Sequence, residues 1–331
     1  MPPRHPFYLV LDVGTTSVKT LLFDRTCSLI ERVSFDLSKA FPKRGWVEQD
    51  PEELLRISRR TMRVALKKSG CHLSDCLGMG ITNQRETTIL WETGSGKAIY
   101  PLIVWEDQRT KQWCKHHSAS EQTLVRSLTG LSIEPYFSAS KIRWILDHVP
   151  KTRTLLQKNT LRFGTVDTWL LWNMTRSHAH LTDQTNAART LLFDIRKRQW
   201  DNQLLELFDI PPEILPKVRS GTDGFGILDH SILGQEIPIL AICGDQQSSF
   251  YAAAYTTANE PITKVTCGTG TFISQSTHTF QLHPGFYTTI APHPTRQTVY
   301  VLESKIQRGG KQVEPLLKNP SKLTSFLENL A

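Results

Sequence analysis

The chain has 331 residues, 39% hydrophobic and 21% charged, an ordinary globular composition with length for one large or two medium domains. Its formal net charge of +8 would suit an anionic partner, but the basic residues are scattered without a long Lys/Arg run, which argues against nucleic acid and leaves a phosphate-bearing small molecule. Six widely spaced cysteines without a C-x-x-C pair give neither a disulfide framework nor a zinc site, and no stretch of about 18 apolar residues is present, so the expectation is a cytoplasmic chain without a membrane span.

In chain order, the apolar run from Tyr8 to Val13 predicts a buried strand, and Val18 to Phe23 its hairpin partner, followed by a third strand from Ser28 to Phe35. Asp50 caps a helix that opens with Pro51, Glu52 and Glu53 and ends near Gly70. Strands are expected from Leu77 to Ile81, Thr87 to Trp91 and Ile99 to Val104. Cys114, His116 and His117 lack metal-ligand spacing and read as a surface helix. "SKIRWILDHV", "DTWLLWNM" and "DNQLLELF" read as helices. Strands return from Ile237 to Cys243, Lys264 to Cys267, Phe272 to Gln275 and Val299 to Leu302, and this alternation argues for an α/β architecture.

Two stretches, "DVGTTSVKTLLF" and "VTCGTGTFIS", share a strand, Gly-Thr turn, strand pattern, which implies two similar halves. In the first, Gly14 permits a tight turn and the N–H groups of Thr15, Thr16 and Ser17 can converge on an anion. Asp12 at the strand end can meet Mg²⁺ directly or through water, and Lys19 adds a point charge toward a phosphate. A plain hairpin with surface threonines explains the same residues.

"DVGTTSVK", "MGITNQRETTILW", "IVWEDQRT", "GTVDTWLLWNMT", "LTDQTNAARTLLFD", "GDQQSSF" and "CGTGTFIS", in this order, resemble the glycerol-kinase branch of the FGGY sugar-kinase family over about Tyr8 to Gly310. The resemblance implies an α/β, actin-like ATPase (ribonuclease H-like) fold, with a first domain over 1–251 and a partial second domain over 252–331. It also implies ATP and Mg²⁺ as cofactors, with glycerol and ATP as the partners. Arg85, a fork of donors, and Glu86, an acceptor, would bind two glycerol hydroxyls, although alone they read equally as a solvated pair on a loop. The resemblance adds the Tyr136 hydroxyl and Gln246, with Trp105 and Phe272 as the apolar wall. Asp245 follows an apolar strand, where a ligand site is expected, and is assigned as catalytic base; the helix N-cap is the alternative, and both can hold. Gly268 and Thr269 would face Thr15, Thr16 and Ser17 across the phosphates, and Gly310 matches a nucleotide-contacting glycine. Asp167, Asp183 and Asn186 are expected to serve structure through caps and buried hydrogen bonds.

Family members continue well beyond the segment matching "VLESKIQRGGKQVEPLL", so the second domain is expected to be incomplete and to lack the adenosine-binding segment. Lys19 stands for the commoner arginine, Glu106 for glutamine, and Glu314 for glutamine near the phosphate, while Pro315 interrupts the expected helix. The leading expectation is phosphorylation of glycerol to sn-glycerol 3-phosphate. The alternatives are a catalytically silent polyol-binding or regulatory relative and a kinase for another polyol or a ketose, with a homo-oligomer or a complementing C-terminal chain covering the partial domain.

Overall fold

The structure, a computed structural model, describes residues 6–256, 261–267, 271–293 and 296–306. The chain divides into two compact units, Met1–Ser248 and Ser249–Ala331.

In the first unit, Phe7, Leu9, Leu11 and Val13 are fully buried along Phe7–Val13 (β1). Intervening side chains turn the other way, Tyr8 with 39% exposure, so the expected buried strand is covered mainly on one face. The chain turns through residues 14–16 into Ser17–Asp24 (β2), antiparallel to β1 with Val13 opposite Val18, and Leu29–Asp36 (β3) pairs antiparallel with β2. Glu48–Gln49 (β4) then leads to the helix Pro51–Ser69 (α1). Its start and stop are local chemistry: the Asp50 carboxylate accepts the Glu52 N–H at 2.9 Å, Pro51 occupies the first turn, and Gly70 leaves in the left-handed region at φ 67°. Leu54, Leu55, Ile57, Met62 and Ala65 are the apolar residues that α1 buries in the core.

Cys76–Asn83 (β5) runs parallel to β1. The strand expected from Ile99 to Val104 shrinks to Leu102–Ile103 (β6), paired with β4; Pro101 just before it has no N–H to donate to a longer ladder. The strand expected from Thr87 is observed at Ile89–Glu92. Helices form at Ser138–His148 (α2), Val166–Met174 (α3) and Gln184–Ala187 (α4), and Asn202–Leu207 is helical as expected. Cys114, expected on a surface helix, is buried within Lys111–Lys115. Ile227–Leu228 (β7) and Ile237–Gly244 (β8) complete a six-stranded sheet in the order β7-β8-β5-β1-β2-β3, and Asp245–Tyr255 (α5) follows β8 directly.

The register of this sheet creates the site. β1, β5 and β8 are parallel, with Val13 and Gly244 both opposite Asn83, so the three strands end level. The loops that follow carry Thr15 to Ser17, Arg85 and Glu86, and Asp245, at the carboxyl ends of these three parallel strands, where ligands bind in α/β folds.

The second unit contains Thr263–Cys267 (β9), Thr271–Thr277 (β10), Tyr287–His293 (β11) and Arg296–Ile306 (β12), in the antiparallel order β9-β10-β12-β11. Phe250, Ala254, Ile262, Ala291, Val299 and Val301 pack as its apolar cluster. The β9–β10 hairpin repeats the pairing of β1 with β2, and a further strand joins beside its second member, as β3 does. Gly268, Thr269, Gly310, Glu314 and Pro315 lie outside the described residues.

Candidate active site

Arg85 and Glu86 do not form a solvated pair: they are 3% and 1% exposed. Glu86 has φ 60°, a left-handed conformation uncommon outside glycine, and its carbonyl is held there by the hydroxyls of Thr88 at 3.2 Å and Ser138 at 3.1 Å and by Lys141 Nζ at 3.3 Å. The Glu86 carboxylate accepts from Arg189 Nε at 2.6 Å and lies 3.7 Å from Arg85 Nε. Two guanidinium groups therefore compensate one buried carboxylate, which a lone pair could not achieve in this low-dielectric setting. Arg189 also places its guanidinium carbon 5.4 Å from the Tyr136 ring and 5.0 Å from that of Phe137.

Arg85 reaches in the other direction to Asp245, with Nε 3.7 Å from Oδ1, and its Nη1 donates to Gln247 Oε1 at 3.2 Å. Gly244 permits this approach, since a Cβ there would stand 2.9 Å from both Cγ and Cδ of Arg85. Asp245 opens α5 and its Oδ1 accepts the Gln246 N–H at 2.7 Å, so it serves the helix start while facing Arg85. Its side chain is 37% exposed, yet its carboxyl is pushed up to about 6, chiefly by desolvation; Arg85 opposes the push, and the charges of Glu86 and Asp12 add to it. A carboxylate so poised can accept a proton near neutral pH.

Trp105 and Tyr136 meet edge to face at 5.5 Å, and the Trp105 indole N–H donates to the Thr15 hydroxyl at 2.8 Å. The Trp105–Tyr136 pair is thereby bonded to the Gly14–Ser17 hairpin. Within that hairpin, Gly14 N–H donates to Ser17 O at 3.0 Å and Leu37 N–H to Thr16 O at 2.9 Å. The N–H groups of Thr15 and Thr16 have no partner among the described residues and can meet an anion. Lys19 Nζ pairs with Asp12 at 3.0 Å, so the lysine charge is shared with that carboxylate. Glu106, where glutamine was expected, pairs with Lys39 at 2.7 Å.

Asp183 caps α4 through the N–H groups of Thr185 and Asn186, Asn83 and Asn186 exchange side-chain amide bonds at 3.0 and 3.2 Å, and Asp167 accepts the Thr165 and Thr182 hydroxyls. Phe272 lies on β10 of the second unit. The sequence pattern does not single out Arg189, Gln49, Gln84, Lys141 or Gln247; all but Gln49 stand inside stretches quoted above, and none has a local pattern announcing burial. Among the described residues, no group of three or more His, Cys, Asp or Glu could hold a metal ion, and no helix is long and apolar enough to cross a membrane.

Three parallel strands ending in an anion-ready hairpin, a buried Arg–Glu pair and a carboxylate define a small-molecule site on an α/β domain of the actin-like ATPase fold. Residues 7–251 match the N-terminal domain of the FGGY family of carbohydrate kinases, and the chain belongs to that family. It is 40% identical over 313 residues to the glycerol kinase of Burkholderia multivorans, covering 93% of this chain and 62% of that protein. The glycerol kinase of Brucella ovis is likewise 40% identical, over 312 residues. The crystal structure of Plasmodium falciparum glycerol kinase with ADP superposes with a TM-score of 0.86 at 30% identity, covering 98% of this chain and 67% of that one. The chain thus spans about three fifths of the length of the curated relatives it matches, 62% for both glycerol kinases.

Proposed function

We propose that the chain carries the polyol and phosphate sites of an ATP-dependent glycerol kinase. The carrying observation is Asp245, pushed up to about 6, lying 3.7 Å from Arg85 of a buried Arg85–Glu86 pair and on strands level with the Gly14–Ser17 hairpin. The names of the relatives, glycerol kinases at 40% identity, support glycerol as the acceptor.

Arg85 donates to one glycerol hydroxyl and Glu86 accepts from another, with Tyr136 and Gln246 as further partners and Trp105 against the carbon skeleton. By resemblance, Phe272 is assigned to glycerol, and Gly268, Thr269 and Gly310 to the nucleotide. Asp245 takes the proton as a primary hydroxyl oxygen bonds to the γ-phosphorus of ATP; the bond from that phosphorus to the bridging oxygen breaks and ADP leaves. The N–H groups of Thr15, Thr16 and Ser17 and the Lys19 charge hold phosphate oxygens, so the hairpin contributes positioning and charge stabilisation.

Asp12, a hard oxygen donor near the end of β1 beside the hairpin, fits Mg²⁺ directly or through water. When bound, the ion neutralises phosphate charge.

The test is glycerol-dependent ADP release by the purified chain at millimolar ATP. Release abolished by Asp245→Ala supports the kinase. No release, with glycerol still raising the thermal midpoint, replaces it with a silent polyol-binding protein. Faster turnover of a ketose would move the acceptor to another member of the family's substrate class.

A further inference from the structure

Thr15 C=O and Thr16 N–H belong to one planar peptide and point in opposite directions. The oxygen is held: Gln49 Nε2 donates to Thr15 O at 2.8 Å. Gln49 Oε1 accepts from Gln84 Nε2 at 2.9 Å, and Gln84 Oε1 accepts the Thr87 hydroxyl at 3.1 Å. Both amides are 1% exposed, so neither can exchange these partners for water. Their sense is also fixed, because a carbonyl oxygen can only accept and Gln49 must therefore present its NH₂ group to Thr15. Gln84 is anchored in turn by its backbone, whose N–H donates to Val13 O at 2.7 Å, and it directly precedes Arg85 and Glu86.

We infer that Gln49 is a positioning residue for the phosphate hairpin, holding the Thr15–Thr16 peptide so that Thr16 N–H faces the nucleotide, and tying that orientation through Gln84 to the polyol loop. With the donor removed, the peptide is free to rotate and turn the Thr15 carbonyl, a negative dipole end, toward the phosphates. Trp105 meets Thr15 at its hydroxyl, whereas Gln49 holds the Thr15 carbonyl and with it the peptide plane. The inference rests on the kinase reading and adds to it a residue that touches neither substrate.

The experiment follows the Thr16 amide resonance of the full ¹⁵N-labelled chain, with glycerol present, during titration with Mg-ATP, alongside calorimetric glycerol affinity. Wild type, Gln49→Met and Gln49→Glu are compared; the second keeps the shape and the acceptor but has no donor when ionised. Both variants are expected to weaken ATP binding by about tenfold, the scale of one buried hydrogen bond with its unpaired group, and to lose the Thr16 shift while glycerol affinity stays within about twofold. Gln84→Met, which frees the Gln49 amide to rotate, should give a smaller loss of the same kind. Variants that bind ATP with the wild-type Thr16 shift would overturn the assignment while leaving the kinase reading intact. Parallel loss of both ligands with a lowered thermal midpoint would reduce Gln49 to a packing role and overturn it as well. A wild-type chain unresponsive to ATP removes the kinase reading, and the assignment with it.

Discussion

Arg189 donates from Nε to the Glu86 carboxylate at 2.6 Å with both side chains buried, and this bond decides how a charged pair can sit inside the site. Removing Arg189 leaves Glu86 with Arg85 alone, at 3.7 Å. Arg189→Met should lower unfolding stability by about 3–5 kcal/mol, the cost of stranding one member of a buried ion pair, and weaken glycerol binding because Tyr136 loses its neighbour. Chemical denaturation and calorimetry check both. Arg189→Lys keeps the charge but loses the planar fork, and should recover only part of each.

Asp245 gives a pH signature. Its carboxyl rises from the ordinary 3.8 to about 6 in the folded chain, so between these values the folded state holds a proton that the unfolded state has released. Its contribution to stability therefore falls as pH rises through that window and stays unfavourable above it. Asp245→Asn should raise the thermal midpoint at pH 8, with the gain vanishing toward pH 4, while phosphoryl transfer is lost. A gain that is flat with pH would contradict the assignment. In the wild type, turnover should climb with pH along an acidic limb centred near 6.

Lys141 behaves in the opposite sense. Its buried Nζ donates to the carbonyls of Tyr136 at 2.6 Å, Glu86 at 3.3 Å and Phe137 at 3.4 Å, binding two residues of the proposed glycerol site through their backbones. Burial brings its pKa from 10.5 down to about 8, against the pull of Glu86 and Asp107 toward the charged form. Across that window the unfolded chain holds the extra proton, so stability should rise with pH from about 8 to 10.5. Lys141→Met should remove this rise in urea titrations at several pH values and weaken glycerol binding by loosening Glu86.

Local helix chemistry gives a control remote from the substrate. Asp50→Ala removes the carboxylate that accepts the Glu52 N–H and should cost about 1 kcal/mol of stability, read by denaturant unfolding, with glycerol affinity unchanged.

The elements legible in the sequence are those set by neighbours in the chain. Asp50, Pro51 and Gly70 bound α1 as expected because caps and breakers act within a turn, and the Gly-Thr-Thr-Ser hairpin follows from Gly14 and the flanking apolar residues. Asp183 behaves as the expected cap for the same reason. The site's support was not legible: Arg189 and Glu86 are 103 residues apart, and Gln49 and Gln84 are 35 apart, so their partnership exists only once the sheet has aligned. Arg85 and Glu86 were identified as a pair, but the solvated reading stayed open until Arg189 supplied the second cation. Tyr8 and Cys114 depart from expectation in opposite directions, one exposed within an apolar run and one buried within a basic stretch, because local composition does not say which face another element covers.

The most direct measurement of the central claim is a calorimetric titration of glycerol into the full chain at neutral pH, with Glu86→Gln and Asp245→Asn alongside. The wild type should bind glycerol saturably at one site, Asp245→Asn should retain that binding while losing phosphoryl transfer, and Glu86→Gln should weaken it by about tenfold or more, as expected when a charged hydrogen-bond acceptor is removed. A wild-type chain without saturable glycerol binding, or a Glu86→Gln variant that binds as tightly, would contradict the account.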